Sequence, residues 1–337
     1  MKKIFLFLIV LVSLGFSSCM TSYLMVSQGE SFDALTKITD SKKVCAYPNG
    51  GDNGKNLVFS AQDDGGAYNI YMKDNVLSSS LIQKTTGSNF NMCPNYCAVT
   101  DQIAFQYLTN TNFDIYYINA SKGKAITQVT STDENEYNPC FSHDGKMIAF
   151  EKGATPKYFL KHTTTNRATV YVKGIKITEN QIWIKNFVTG ELKMIGQGSY
   201  PKFSPDDSKI VFVKYELNKS KTAETGTICI MSLDGENQVQ ITNKDLGYAT
   251  WPNWSPDGKN IVFQLTKTNN SNSGFETITE NSDIYTIGID GENLKQHTVN
   301  KSNDFAPYWT TDNYIYFTSD RGSKQGAYQI WRFKITL

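Results

Sequence analysis

Residues 248–263 read YATWPNWSPDGKNIVF. An aromatic run around Pro252 leads into a tight polar turn at Pro256-Asp257-Gly258 and out into an apolar run of β-formers, the pattern of two strands joined by a turn. The stretch recurs. The interval from Pro252 to Phe263 also separates Pro48 from Phe59, Pro94 from Phe105, Pro139 from Phe150 and Pro201 from Phe212, while Pro307 to Phe317 is one residue shorter. Two positions after the proline stand Tyr96, Phe141, Phe203, Trp254 and Trp309, with Gly50 alone breaking the aromatic pattern. The turns that follow read SHDGK from Ser142, SPDDS from Ser204, SPDGK from Ser255 and TTDN from Thr310, and their residues Asp144, Asp206, Asp257 and Gly258 are expected to serve the backbone as structural turn residues.

A third strand has its own signature in six copies: Asn69-Ile70-Tyr71, Asp114-Ile115-Tyr116, Gln181-Ile182-Trp183, Thr227-Ile228-Cys229, Asp283-Ile284-Tyr285 and Gln329-Ile330-Trp331. A fourth, more polar strand follows in five copies, at Leu81-Ile82-Gln83, Ile126 to Val129, Leu192 to Ile195, Val239 to Thr242 and Leu294 to His297. The missing sixth copy lies at the other end of the chain, where Ala34-Leu35-Thr36-Lys37-Ile38-Thr39 matches Ala125 to Thr130 in pattern. Repeats of this length with four strands each, closed by exchange of a terminal strand, define a β-propeller with no long exposed edge. The expected fold is all-β: a six-bladed β-propeller of four-stranded blades over residues 33–337. Its blades cover about 43–86, 88–131, 134–196, 198–243, 247–299 and 302–337, the last closed by an N-terminal strand at about 33–39.

The repeated proline, aromatic residue and Ser-Pro-Asp-Gly turn, each followed by a β-run, resemble the WD40-like (PD40) repeats of the TolB type. That resemblance spans nearly the whole chain after residue 33. It implies a binding platform in the bacterial envelope, but the α/β domain that precedes the propeller in TolB has no counterpart in the sequence. The propeller-bearing peptidases of the same type carry a hydrolase domain with a G-x-S-x-G elbow, and that motif does not occur here.

The first residues, MKKIFLFLIVLVSLGFSSC, combine Lys2 and Lys3, an apolar run from Ile4 to about Leu14 and small residues before a cysteine, which reads as a secretory signal. Gly15-Phe16-Ser17-Ser18-Cys19 resembles a lipoprotein cleavage site, with residues 1–18 removed, Cys19 lipidated and residues 19–32 forming a tether. An ordinary signal cut near Ser18 is the alternative. Two or three acyl chains anchor a protein stably, since each buried methylene contributes roughly 0.8 kcal/mol. Met20, in place of an aspartate after the cysteine, implies by resemblance to lipoprotein sorting the periplasmic face of the outer membrane.

Composition narrows the function classes. The chain has 33 basic against 32 acidic side chains, and no block of like charge offers nucleic acid a footing. Cys45, Cys93, Cys97, Cys140 and Cys229 lack metal-ligand spacing and read as buried structural thiols. His143 stands in a turn, His162 in a loop and His297 on an outer strand, so surface or turn roles are expected for all three and no metal or cofactor is. Asp63-Asp64 and Asp133-Glu134-Glu136 read as solvated loop charge.

The repeats differ most between the second-strand phenylalanine and the third-strand isoleucine, and the excess falls in blades 3 to 5. These inserts are expected on one rim, with the longest carrying a hairpin at Ala168 to Thr178 and Tyr158, Phe159 and Tyr171 as candidate anchors for a partner. The reading that follows is a non-enzymatic, lipid-anchored module that binds one or more envelope proteins. The alternative is a glycan- or peptide-binding propeller, or a lyase, that uses the central funnel.

Overall fold

The computed structural model describes residues 35–109, 112–123, 125–153, 179–217, 224–267, 281–322 and 327–335. Among them the strands form six antiparallel sheets of four, arranged as a six-bladed propeller. From axis to rim, blade 1 holds Cys45–Asn49, Leu57–Gln62, Tyr68–Lys73 and Ile82–Gln83. Blade 2 holds Asn91–Cys97, Gln102–Leu108, Phe113–Asn119 and Ile126–Gln128. Blade 3 holds Asn135–Phe141, Met147–Gly153, Gln181–Asn186 and Leu192–Gln197. Blade 4 holds Ser199–Phe203, Lys209–Leu217, Glu224–Ser232 and Val239–Gln240. Blade 5 holds Tyr248–Trp254, Asn260–Thr266, Ser282–Gly288 and Lys295–Gln296. Blade 6 holds Asp304–Trp309, Tyr314–Ser319 and Gln329–Lys334, with Thr36–Lys37 as its rim strand.

The second strands are apolar on both faces because each blade is covered by a neighbour on either side. Phe59, Phe105, Phe150, Phe212, Phe263 and Phe317 are all buried there. The repeat thus places one large ring between every pair of blades, and the core is six inter-blade clusters rather than one central one.

The rim strands are shorter than the sequence pattern suggests, only two residues long in blades 1, 4 and 5. Their side chains face solvent, and a short polar edge offers little template for pairing with another chain. One residue of each rim segment still turns inward. Thr85, Thr130, Thr242 and Thr298 each accept a hydrogen bond at 2.8 Å from the backbone N–H of the third-strand isoleucine, Ile70, Ile115, Ile228 or Ile284. The N-terminal segment does the same for blade 6. Thr36 and Lys37 pair with Arg332 and Trp331, and the Ile330 N–H donates to Thr39 Oγ1 at 2.9 Å.

The turns open on one end of the ring. Ser142, Ser204, Ser255 and Thr310 donate a side-chain hydrogen bond to Asp144, Asp206, Asp257 and Asp312 within 2.7 Å. Each hydroxyl also accepts the N–H of the residue that starts the next strand, Met147, Lys209, Asn260 or Tyr314. Gly258 has a left-handed φ of +69° in this turn, and Asp207 holds the equivalent place in blade 4 at +57°. Inter-blade connections and the ends of the second strands lie at the other end, the loop face.

Candidate functional site

The first strands line the axis, and each is kinked at the repeat proline. The residue before it, Tyr47, Cys93, Asn138, Tyr200, Trp251 or Ala306, has a left-handed φ between +50° and +60°. Pairing with the second strand skips that residue and the proline, for example between Ala46 and Asn49 or between Tyr137 and Cys140. A proline disfavours helical backbone in the residue before it, and a left-handed non-glycine residue is strained, so this conformation persists only where its surroundings impose it.

What imposes it is the blade before. The strained N–H donates to the side chain of the residue after the second-strand phenylalanine of that blade: Tyr47 to Thr318 Oγ1 at 3.0 Å, Cys93 to Ser60 Oγ at 3.1 Å, Asn138 to Gln106 Oε1 at 3.1 Å, Tyr200 to Glu151 Oε2 at 2.7 Å and Ala306 to Gln264 Oε1 at 3.4 Å. Val213 occupies that place in blade 4 and accepts nothing. At that junction the Trp251 ring packs on Tyr200 instead, with centroids 4.6 Å apart.

The kink swings six side chains toward the axis. Tyr47 and Trp251 belong to blades that are not neighbours, yet their rings stack at 5.1 Å, so they meet over the channel. Phe305 closes on Tyr47 at 5.9 Å, and the small Ala306 beside it leaves the space in which Tyr47 and Trp251 touch. Tyr47 is enclosed by protein and burial holds its phenol well above the ordinary value, but Tyr47 and Trp251 both keep accessible surface, which therefore faces the channel.

Blades 2 and 3 supply the opposite wall, with Cys93 and Asn138. Asn138 is 1% exposed and its amide is turned to the Glu151 carboxyl, which it helps to stabilise; Gln106 Nε2, on a side chain wholly buried, has no hydrogen-bond partner among the described residues. Leaving a buried polar group unpaired costs about 1–3 kcal/mol. Lys202 lies close enough to the Cys93 and Cys140 thiols to act on both electrostatically. Its ammonium has no hydrogen bond or ion pair among the described residues. Glu151 is fully enclosed, with one oxygen on the Tyr200 N–H and the other on the Asn180 amide, and burial raises its pKa.

Two expectations about titratable groups are corrected by the packing. Glu136 is not a solvated loop charge: it is 0% exposed, accepts from the Thr132 hydroxyl and hydrogen-bonds Asp114 across the joint between blades 2 and 3. Burial and the neighbouring carboxylate push its pKa up to about 7. His297 is not a surface residue either. It is buried between blades 5 and 6, stacked on Phe333 at 5.5 Å with Nε2 2.8 Å from Thr286 Oγ1, and burial pushes its pKa down to about 4.

His143 does sit in a turn, its Nδ1 2.8 Å from Asp207 Oδ1 on the face opposite the loops. The two described histidines therefore do not converge. Among the described residues no group of three or more His, Cys, Asp or Glu side chains is placed to hold a metal ion. Cys45, Cys93, Cys97, Cys140 and Cys229 are all free thiols and all buried. Tyr158, Phe159 and Tyr171, the hairpin around them, and Cys19 lie outside the described residues.

The channel residues escape a reading by repeat because the proline draws attention to the constant position, whereas the site is built from the variable one before it. That column, Tyr, Cys, Asn, Tyr, Trp and Ala, is visible in the sequence once the bulge is known.

No family model matches the chain. An uncharacterized protein of Agrobacterium fabrum is 24% identical over 218 residues, covering 62% of each chain; the present chain thus spans under two thirds of that relative's length. Among solved structures, a putative TolB from Agrobacterium tumefaciens matches with a TM-score of 0.56 at 14% identity, over 90% of this chain and 97% of that one. Oligogalacturonate lyase from Vibrio parahaemolyticus matches with a TM-score of 0.55 at 14% identity, over 91% and 96%. The fold is a six-bladed propeller of the TolB-like type, and at such identity the likeness speaks for the fold alone.

Proposed function

We propose that this protein is a non-catalytic binding propeller of the bacterial envelope, tethered through lipid on Cys19 and presenting its loop face to a protein partner. The observation that supports this reading most is the use of the buried ionisable groups. Glu136, Asp114, Asp283, Asp304 and His297 are tied into joints between blades, and the rings of Tyr47 and Trp251 fill the axis where a catalytic group would stand. In the sequence the longest links between second and third strands fall in consecutive blades, 3 to 5, and Tyr158, Phe159 and Tyr171 in the longest of them are the candidate anchors, since aromatic side chains dominate interface hot spots.

Cross-linking in intact envelopes followed by pull-down tests the reading. The expected result is a partner recovered with the full-length protein and lost when residues 154–178 are deleted. Equal recovery with and without that segment removes the arm from the reading, and no partner at all in mild detergent removes the protein-binding role. Membrane fractionation of Cys19→Ser tests the anchor separately.

A second reading keeps one specific observation in its favour. Aromatic faces and amides do converge on the axis, as a ligand-binding funnel requires. The oligogalacturonate lyase fold match makes polysaccharide cleavage the activity to assay, and formation of unsaturated products by the purified protein would establish it.

A further inference from the structure

The chain enters the propeller from one end. Rim strands run from the turn face to the loop face, and Thr36–Lys37 is the rim strand of blade 6. It receives the chain at the turn face and passes it to blade 1 at the loop face, where the Cys45 N–H donates to the Tyr328 carbonyl at 2.8 Å. Residues N-terminal to Leu35 are therefore joined to the ring on its turn face. From Cys19 to Leu35 is 16 residues, a reach of at most about 55 Å. The turn face is the one nearest to a membrane that holds residue 19, and its surface chemistry decides whether the two touch.

That surface is divided. The three most exposed large apolar side chains among the described residues, Val99 and Val188 at 72% and Leu77 at 67%, all stand in its turns, in blades 2, 3 and 1. Phe187, beside Val188, is exposed as well and rests on Tyr117 and Phe141, with centroids 6.4 and 6.2 Å away. Contacts join these turns into one surface. The Val76 N–H donates to the Gly54 carbonyl within blade 1, and Asn56 there donates to the Tyr96 hydroxyl of blade 2. The Phe187 N–H donates to the Lys146 carbonyl, and the adjacent Gly145 lies so close to blade 2 that an added Cβ would be 2.3 Å from the Thr100 methyl.

The fold does not require apolar residues at these points. Val99 holds the turn position occupied by Asp206 in blade 4 and Asp257 in blade 5, and Val188 that of Asp234 and Asp290. Charge follows the same division. Among the described residues, the turns of blades 1–3 expose Asp74, Asp144 and Glu191 against Lys55, Lys122 and Lys146. The turns of blades 4 and 5 expose Asp206, Asp234, Glu236, Asp257, Asp290 and Glu292 against Lys209 and Lys259. One half of the face is neutral with apolar tips, and the other is acidic.

We propose that the turn face of blades 1–3 rests on the lipid bilayer, with Leu77, Val99, Phe187 and Val188 entering the headgroup boundary and the acidic half tilted away from it. The loop face is then held outward for its partner. This rests on the reading of residue 19 as the membrane attachment. An anchor at one end of a chain leaves a domain free to turn, whereas a second contact beside it adds to the binding and fixes one face. Exposed apolar groups grouped on one surface mark a contact, and anionic headgroups repel carboxylates within a Debye length.

Fluorescence on vesicles tests it. The mature chain, with a hexahistidine tag in place of Cys19, is held on vesicles of phosphatidylethanolamine, phosphatidylglycerol and a nickel-chelating lipid, so the orientation is read whether or not that cysteine carries lipid. An environment-sensitive fluorophore is placed on one introduced cysteine at a time: Leu77→Cys, Val99→Cys or Val188→Cys, with Glu236→Cys on the acidic half and Ser131→Cys on the loop face as references. The native thiols of the described residues are all buried. The three apolar positions are expected to shift to the blue and to be quenched by a nitroxide-bearing phospholipid several-fold more than the two references. Val99→Asp with Val188→Asp restores the residue type of the sister blades and is expected to abolish the quenching of a label at Leu77. Should that double variant fail to fold in a thermal melt, the comparison of the five single labels decides. Equal quenching at all five positions, strongest quenching at Ser131, or a folded double variant that quenches as before each overturns the proposal. A blue shift without vesicles that grows with protein concentration also overturns it, and assigns the surface to a second copy of the chain. Mass spectrometry of the N-terminal peptide from native envelopes reads the lipid separately, and its absence there refutes the anchor rather than the turn-face contact.

Discussion

Glu136 hydrogen-bonds Asp114 inside the joint between blades 2 and 3, and Asp304 and Asp283 occupy the same two repeat positions in the joint three blades away, across the ring. The two joints differ in how the charge is balanced. Arg321 donates to Asp304 in the second, whereas among the described residues no cation pairs with Glu136 in the first, and burial pushes the Glu136 pKa up to about 7. Removing one member of a buried charge pair is costly, whereas a proton held on a buried carboxyl leaves with rising pH.

The pH dependence of the Glu136 joint follows. Its folded-state pKa, about 7, lies above the ordinary 4.5, so the native protein holds a proton there that the unfolded chain has released. The contribution is complete below about pH 4.5 and is lost as pH rises through 7. Glu136→Gln keeps a donor and cannot ionise. Chemical denaturation from pH 5 to pH 8 is expected to show the variant gaining on the unaltered protein as pH rises, and a difference that does not change with pH would refute a proton held on Glu136.

His297 titrates in nearly the same window with the opposite sign. Its folded-state pKa of about 4 lies below the ordinary 6.5, so its contribution is present above 6.5 and lost as pH falls through 4. The two effects oppose each other, but burial also raises Asp283 to about 7, on the side of Glu136, so the stability of the unaltered protein is expected to fall as pH rises from 5 to 7. In His297→Gln the opposing effect is gone, and the fall is expected to be steeper. Melting temperatures at half-unit steps check it.

Much of this fold is legible in the sequence because propeller repeats keep their buried positions. The phenylalanine of the second strand, the isoleucine of the third and the serine and aspartate of the turn each do the same job in several blades. Glu136 and His297 are illegible for the converse reason: their burial depends on the neighbouring blade, and Glu136 follows two exposed acids, Asp133 and Glu134, in a stretch that looks like a polar loop. The channel residues are hidden by the bulge, since strict alternation along a kinked strand assigns them to the wrong face.

Gly50 departs from the aromatic column for a reason the sequence does not display. Its φ is +76°, and an added Cβ would lie 2.5 Å from the Asn56 carbonyl oxygen, which is backbone and cannot yield easily. Gly50→Ala is therefore expected to destabilise the protein by at least about 1–3 kcal/mol, through strain and displacement together. Asn53 in the same loop already has a left-handed φ as a non-glycine residue, so Asn53→Ala, which adds no such clash, is the control and is expected to cost less in the same denaturation experiment.

The closure of the ring rests on one hydroxyl more than on strand length. The N-terminal strand contributes only Thr36 and Lys37 to the ladder of blade 6, but Thr39 accepts the Ile330 N–H in the interior, as Thr85, Thr130, Thr242 and Thr298 do within their own blades. Thr39→Val keeps the shape and leaves that N–H without its acceptor, for an expected loss of about 1–3 kcal/mol. Thr130→Val makes the same change where the two strands are separated by a short stretch of chain rather than by the whole propeller. If closure is the weak point of the ring, native-state hydrogen exchange will show the Thr39 variant opening blade 6 alone, with Ile330 and its strand losing protection ahead of the other blades, while the Thr130 variant loses a similar stability without uncoupling one blade. Equal protection across all six blades in the Thr39 variant would mean that the ring unfolds as a unit and that the terminal strand is no more its latch than any other rim strand.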